Sequence, residues 1–203
     1  MTGVIEISNG DTAKMEIDLK EKHNPARSDT NKNKETGNLQ LRHYGMPTTF
    51  NYGFIPQTWE NPDDGGDNDP IDLVDLSLEK KPLLAVADFL VLGCLGLIDQ
   101  GEIDWKVLTL EVNEAKLMGV ETLADFEMKH PGRVSSIREW FRTYKTLDGK
   151  PMNEFREDGR IFDQQETLKI VLETSRDYRK LMDKETGLND KHNFWLEQAT
   201  QKF

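Results

Sequence analysis

Residues 87–112 read ADFLVLGCLGLIDQGEIDWKVLTLEV. Two apolar runs, 87–97 and 105–112, flank an acidic junction, Asp99-Gln100-Gly101-Glu102-Ile103-Asp104. The runs have strand length, lack a helical period and are bounded by turn residues, so they predict two buried strands meeting at a polar turn. Residues 4–7 and 13–19 read as short alternating strands, and 38–42 and 71–76 as further buried strands, with Gly, Pro and Asp clusters between them. From Thr122 the period changes. Val134, Ile137, Trp140, Phe141 and Tyr144 recur at helical spacing after Pro131-Gly132, as do Leu168, Val171, Leu172, Tyr178 and Leu181. Strands followed by helices predict an α+β fold, most simply a small barrel or curved sheet with helices packed outside. Residues 18–37, rich in Lys, Asn, Asp and Thr, read as a polar loop insertion.

The chain has 203 residues and a formal net charge of −11, enough length for one domain with a real core. Residues 1–183 are expected to form it, with 184–203 as a tail whose Phe194, Trp195 and Phe203 close a groove on the same chain or meet a partner. The negative charge argues against a nucleic-acid partner, which clustered Lys and Arg would hold. With 36% hydrophobic and 8% aromatic residues the acidity does not signal disorder. Cys94 is a lone cysteine inside an apolar run, which excludes an internal disulfide and a cysteine-based zinc site and reads as buried filler. The longest apolar stretch, 85–98, is broken by Asp88, Gly93 and Gly96 and falls short of the ~18–20 residues of a membrane span. With no basic, apolar leader before Glu6, a soluble cytoplasmic protein is expected.

The segment Asp63-Asp64-Gly65-Gly66-Asp67-Asn68-Asp69-Pro70-Ile71-Asp72 runs straight into an apolar strand. Asp72 alternates with Ile71 and Leu73, and a buried ionised carboxylate is costly without a compensating cation. A solvated acidic turn explains this segment equally well. A second acid-rich junction, with Asp99 and Asp104, raises the prospect that both converge on one site. Oxygen ligands without paired histidines suit hard cations, Mg²⁺ above all. An EF-hand fails on spacing, because Asp72 and Leu78 stand where its Gly and Glu belong. Lys14, Arg42, Lys106 and the pair Tyr144-Lys145 lie at strand or helix ends. Together with the carboxylates they describe a site for a highly charged phosphate. A Mg²⁺-dependent phosphotransferase or glycosyltransferase would need a nucleotide or sugar pocket, and no Gly-rich phosphate loop is present. A cation buffer would leave Lys14, Lys106 and Lys145 unexplained.

The wording of these segments resembles the soluble family I inorganic pyrophosphatases. The resemblance is carried by Asp67-Asn68-Asp69-Pro70-Ile71-Asp72, Val4-Ile5-Glu6-Ile7, Lys14-Met15-Glu16-Ile17, Asn51-Tyr52-Gly53, Pro56-Gln57-Thr58-Trp59-Glu60, Asp104-Trp105-Lys106 and Glu139-Trp140-Phe141-Arg142-Thr143-Tyr144-Lys145. It runs over roughly residues 4–182 and is closer to the eukaryotic-type members. It implies a five-stranded barrel of the oligonucleotide-binding type flanked by C-terminal helices, and Mg²⁺-dependent hydrolysis of pyrophosphate by a metal-bridged hydroxide. Several Mg²⁺ ions per site are implied, with Asp67, Asp72 and Asp104 on the tight one, Asp99 and Glu16 on ions arriving with substrate, and Glu6 acting through water. Asp69 is then the base and Tyr52 a second catalytic group. Lys14, Arg42, Lys106, Tyr144 and Lys145 hold the phosphoryl groups. A homo-oligomer, most simply a dimer, is implied as the assembly, with no nucleic acid or membrane partner. The chain departs from the family pattern at Gln100, where a glutamate is usual, and in a shorter spacing from Arg42 to Asn51. It also begins close to Glu6.

Overall fold

The computed structural model describes residues 1–33 and 35–196, and it separates strands from helices where the hydrophobic period changes. Strand β1 (Thr2–Ile7) leads to two short hairpins, β2 (Met15–Ile17) with β3 (Ala26–Ser28), and β4 (Thr30–Lys32) with β5 (Leu39–Leu41). Then come β6 (Asn51–Phe54), β7 (Asp72–Asp75), and the long hairpin of β8 (Val86–Asp99) and β9 (Glu102–Glu111). Helices α1 (Val112–Met118), α2 (Leu123–Lys129) and α3 (Arg133–Thr143) follow. A two-residue strand, β10 (Glu154–Phe155), precedes α4 (Gln164–Met182) and α5 (Asn189–His192).

The sheet order β1-β6-β7-β9-β8-β10 closes on itself because β1 also pairs with β8, giving a ring of five strands with β10 on its edge. Both faces of the strands are covered. Leu73, Cys94 and Val107 share one cluster with Ile170 and Val171 of α4, while their neighbours Val74, Leu95 and Leu108 pack with residues of α1, α2 and α3. That double cover is why 87–97 is apolar almost throughout instead of alternating. The β8–β9 turn places Gln100 at φ 54° and Gly101 at φ 97°, the left-handed pair that suits a tight hairpin. Gly93 marks a register shift in β8, and a Cβ there would lie 2.7 Å from the Phe162 carbonyl oxygen, so the glycine admits the strand-like 161–162 segment.

Four expectations change. Residues 18–37 are not a plain loop: Ala26–Ser28 and Thr30–Lys32 pair as strands with β2 and β5. Their polar composition reflects exposure rather than lack of structure. Strand β5 is not buried, since its two-stranded hairpin has no covering layer and leaves Leu39 and Leu41 exposed. Helix α4 forms, but its packed face runs through Thr167, Ile170, Val171, Thr174, Tyr178 and Leu181, and Leu168 and Leu172 face solvent. The threonines sit inward because each hydroxyl returns a hydrogen bond to a backbone carbonyl three or four residues back, Thr167 to Asp163 and Thr174 to Val171. Finally, α1 follows β9 without a break, so no punctuation in the sequence announced it. In the tail, Phe194 packs with Trp59 and Leu181, and Trp195 meets the His23 ring at 4.8 Å, so both close a groove on their own chain. Phe203 lies outside the described residues.

Candidate active site

Strands β7 and β9 run parallel with Asp72 beside Lys106, and that register builds the floor of the site. On β9, Asp104 and Lys106 are two residues apart and therefore project to one side. The Lys106 ammonium contacts both Asp72 and Asp104 and reaches the Tyr52 hydroxyl oxygen at 3.0 Å. Tyr52 in turn donates its hydroxyl proton to Asp72. The rings of Tyr52 and Phe141 flank the lysine at 5.3 and 5.5 Å. Burial works against the charge on Lys106, yet Asp104 and Asp72 prevail and hold its pKa well above the ordinary lysine value. Burial, followed by the Asp72 charge, likewise raises the Tyr52 phenol, which stays protonated.

The loop from Glu60 to Pro70 brings in the next carboxylates. Asn61 caps the short turn Pro62–Asp64, and the left-handed Gly65 ends it. Gly66 lies so close to Glu60 that a Cβ would sit 2.5 Å from the Glu60 carbonyl carbon. The Glu60 N–H donates to the Asp69 carbonyl and the Asn68 N–H to the Glu60 carbonyl, both at 2.9 Å. Trp59 fixes Asn68 through its indole N–H at 3.1 Å, and Asp67 accepts the Asp69 N–H at 3.0 Å. Glu60, Asp67 and Asp104 thereby place one carboxylate oxygen each within 4.8 Å of one another. Burial, then the Asp104 charge, pushes Asp67 up to about 7. Asp104 rises to about 7 through burial against the pull of Lys106. Asp69 rises to about 6, again through burial, with Lys14 opposing.

The opposite wall comes from the two hairpins and β1. Asp29, at the join of β3 and β4, accepts from Lys14 at 2.8 Å and Arg42 at 2.9 Å, while Glu16 lies 3.1 Å from Lys14. Glu6 on β1 accepts the Ile17 N–H at 2.8 Å and is pushed up to about 8 by burial and then by Asp72. At the end of α3, Tyr144 stacks on Trp140 at 4.8 Å, which aims the next residue, Lys145, at Asp99. Burial lowers the Lys145 ammonium and Asp99 partly restores it.

All of the residues named from the sequence, Glu6, Lys14, Glu16, Arg42, Tyr52, Asp67, Asp69, Asp72, Asp99, Asp104, Lys106, Tyr144 and Lys145, line one cavity of about 590 Å³. The cavity also holds Tyr44, half-buried and T-shaped against Tyr144 at 5.6 Å, and Lys150. Tyr44, Asp29 and Glu60 escaped the sequence reading. Asp29 lies in the polar stretch read as an insertion, and Tyr44 had no motif around it. Glu60 ends the Pro56–Glu60 motif, where a carboxylate beside a buried Trp was the available signal. As a donor set, Glu60, Asp67 and Asp104 offer only carboxylate oxygens, and a buried Glu60 oxygen, Oε2, has no hydrogen-bond partner among the described residues. That chemistry fits a hard divalent cation.

A family model for inorganic pyrophosphatase matches residues 3–179. A soluble inorganic pyrophosphatase of the chloroplast from Arabidopsis thaliana is 34% identical over 92% of this chain, which spans 63% of that relative's length. The solved inorganic pyrophosphatase of Schistosoma japonicum superposes with a TM-score of 0.82 at 34% identity, covering 89% of this chain and 66% of that one. A truncated vacuolar soluble pyrophosphatase of Trypanosoma cruzi, solved in complex with PPi, gives a TM-score of 0.81 at 33% identity over 89% of this chain and 69% of its own.

Proposed function

The chain belongs to the soluble family I inorganic pyrophosphatases, and from that membership we propose that it hydrolyses pyrophosphate to two orthophosphates with Mg²⁺. The observation that carries the reading is the interleaving of charge in the cavity, where Lys106 touches Asp72 and Asp104, Lys145 touches Asp99, and Lys14 touches Glu16. A pure cation buffer has no use for those lysines. Asp67, Asp72 and Asp104, with Asp99, Glu16 and Glu6 around them, are the residues that would hold the divalent ions. When bound, such ions would neutralise phosphate oxygens and lower the pKa of a coordinated water.

The remaining work falls to this chain's own side chains. Asp69, with its carboxyl at about 6, is ionised at neutral pH yet basic enough to take the proton of the attacking water. The water oxygen bonds to one phosphorus, the bridging P–O bond breaks, and the leaving phosphate stays gripped. In this reading Lys14, Arg42, Lys106, Tyr144 and Lys145 take that negative charge, and Tyr52 orients Asp72 and Lys106 through its hydroxyl. The test is phosphate release from pyrophosphate with Mg²⁺, repeated after chelation. Metal-dependent release supports the proposal, and absence of release with Mg²⁺ present overturns it.

A further inference from the structure

Glu60 has no role in the reaction described above, yet it is only 3% exposed. One of its carboxylate oxygens accepts the Trp105 N–H at 3.0 Å, and the other, Oε2, is buried without a hydrogen-bond partner among the described residues. A buried carboxylate oxygen left unpaired is costly. Lys106, the cation on the floor of the site, is engaged by Asp72 and Asp104. Retreat is closed off, because Gly66 packs against the Glu60 backbone and two backbone hydrogen bonds tie it to Asn68 and Asp69. Its carboxylate therefore stays within 4.8 Å of oxygens from Asp67 and Asp104. Oxygens around one octahedral Mg²⁺, at metal–oxygen distances of ~2.0–2.1 Å, lie about 3 to 4 Å apart, which these three residues reach with little adjustment.

We propose that Glu60 is itself a ligand of the divalent cation held by Asp67 and Asp104, approaching it from the buried side. The inference rests on the metal-dependent reading of the site. It adds a carboxylate that none of the sequence-derived roles included. The cation would satisfy the free Glu60 oxygen and cancel the repulsion among three crowded carboxylates in one step.

The test uses Mn²⁺ alone as the probe, with binding to the full chain followed by calorimetry or by the spin resonance of the free ion. Glu60→Gln keeps an oxygen for the Trp105 N–H and the same volume, so it preserves packing. It is expected to raise the dissociation constant of the tight Mn²⁺ at least tenfold. Glu60→Asp keeps the charge but withdraws it by one methylene, and should also weaken binding. Wild-type affinity in the Asp variant would reduce Glu60 to a distant charge and overturn the ligand assignment. Unchanged affinity in Glu60→Gln, beside a clear loss in Asp104→Asn, would overturn it while leaving the metal reading intact. Failure of the unaltered chain to bind Mn²⁺ would overturn the metal reading and the ligand assignment with it.

Discussion

Lys106 occupies the position of a cation among anions. Its ammonium lies between two carboxylates, Asp72 and Asp104, with aromatic rings on its flanks and almost no access to solvent. Removing one member of such a buried set leaves uncompensated charge, which costs about 3–5 kcal/mol. Lys106→Ala is therefore expected to lose about that much stability to urea in the presence of chelator, and to regain much of it when Mg²⁺ is added. A variant as stable as the unaltered chain in chelator would show that the lysine does not hold the two acids together. Asp72→Asn keeps an acceptor for Tyr52 and Lys106 but discards a charge, so phosphate release should fall about 100-fold or more while far-ultraviolet dichroism is unchanged. The Asp104–Lys106 neighbourhood was legible in the sequence, because residues two apart on a strand share a side. Glu60 was not, since its nearness to Asp67 and Asp104 depends on how the loop from Asn61 to Asp69 folds back, a closure set by Gly66 and by the backbone bonds of Glu60 with Asn68 and Asp69 that no spacing rule encodes.

Among the elements, the hairpin of β8 and β9 was readable because its composition, its length and its Gln100-Gly101 turn agree with one another. Less readable were elements whose partners lie elsewhere in the chain. The polar strands β3 and β4 have no hydrophobic signature, because their pairing serves to hold Asp29 between Lys14 and Arg42 rather than to bury a face. Helix α4 showed its period but not its orientation, as inward threonines and outward leucines invert the usual reading of hydrophobicity. Gly93 offers a test at this scale. Gly93→Ala would press a methyl group to 2.7 Å from the Phe162 carbonyl oxygen and 3.0 Å from the Ile161 side chain. The expected loss is about 1–3 kcal/mol, the usual range for an overpacked site, measured as a lower urea midpoint with an unchanged slope. Equal midpoints would mean that the segment linking β10 to α4 can move away at no cost.

At the scale of the whole molecule, four carboxyls of the site are displaced upward: Glu6 to about 8, Asp67 and Asp104 to about 7, and Asp69 to about 6, burial being the first cause in each. Their unfolded values lie near ~4. The native state thus holds these protons more tightly than the unfolded chain does, and the stability they contribute is complete below about pH 4 and lost as pH rises through 6 to 8. In chelator the urea midpoint should fall between pH 5 and 8.5, and saturating Mg²⁺ should flatten that fall; a midpoint that climbs with pH in chelator would contradict the burial argument. The α+β class follows from hydrophobic pattern, whereas the strand order at the site and this collective shift arise only when distant segments are packed side by side. Around the cavity itself, the carboxylates Glu6, Glu16, Asp18, Asp67, Asp69, Asp72, Asp99 and Asp104 face the cations Lys14, Lys20, Arg27, Arg42, Lys106, Lys145 and Lys150. The chain is strongly negative, but once these carboxyls are all ionised, above about pH 8, this chamber is close to electroneutral. Pyrophosphate carries about −3 to −4, at roughly −1.5 to −2 per phosphate, so it upsets that balance when it enters bare and preserves it when it arrives with about two divalent ions. The chamber thus favours balanced cargo, and capture of the chelated anion should change little with added KCl, because a neutral complex gives the salt no charge to screen.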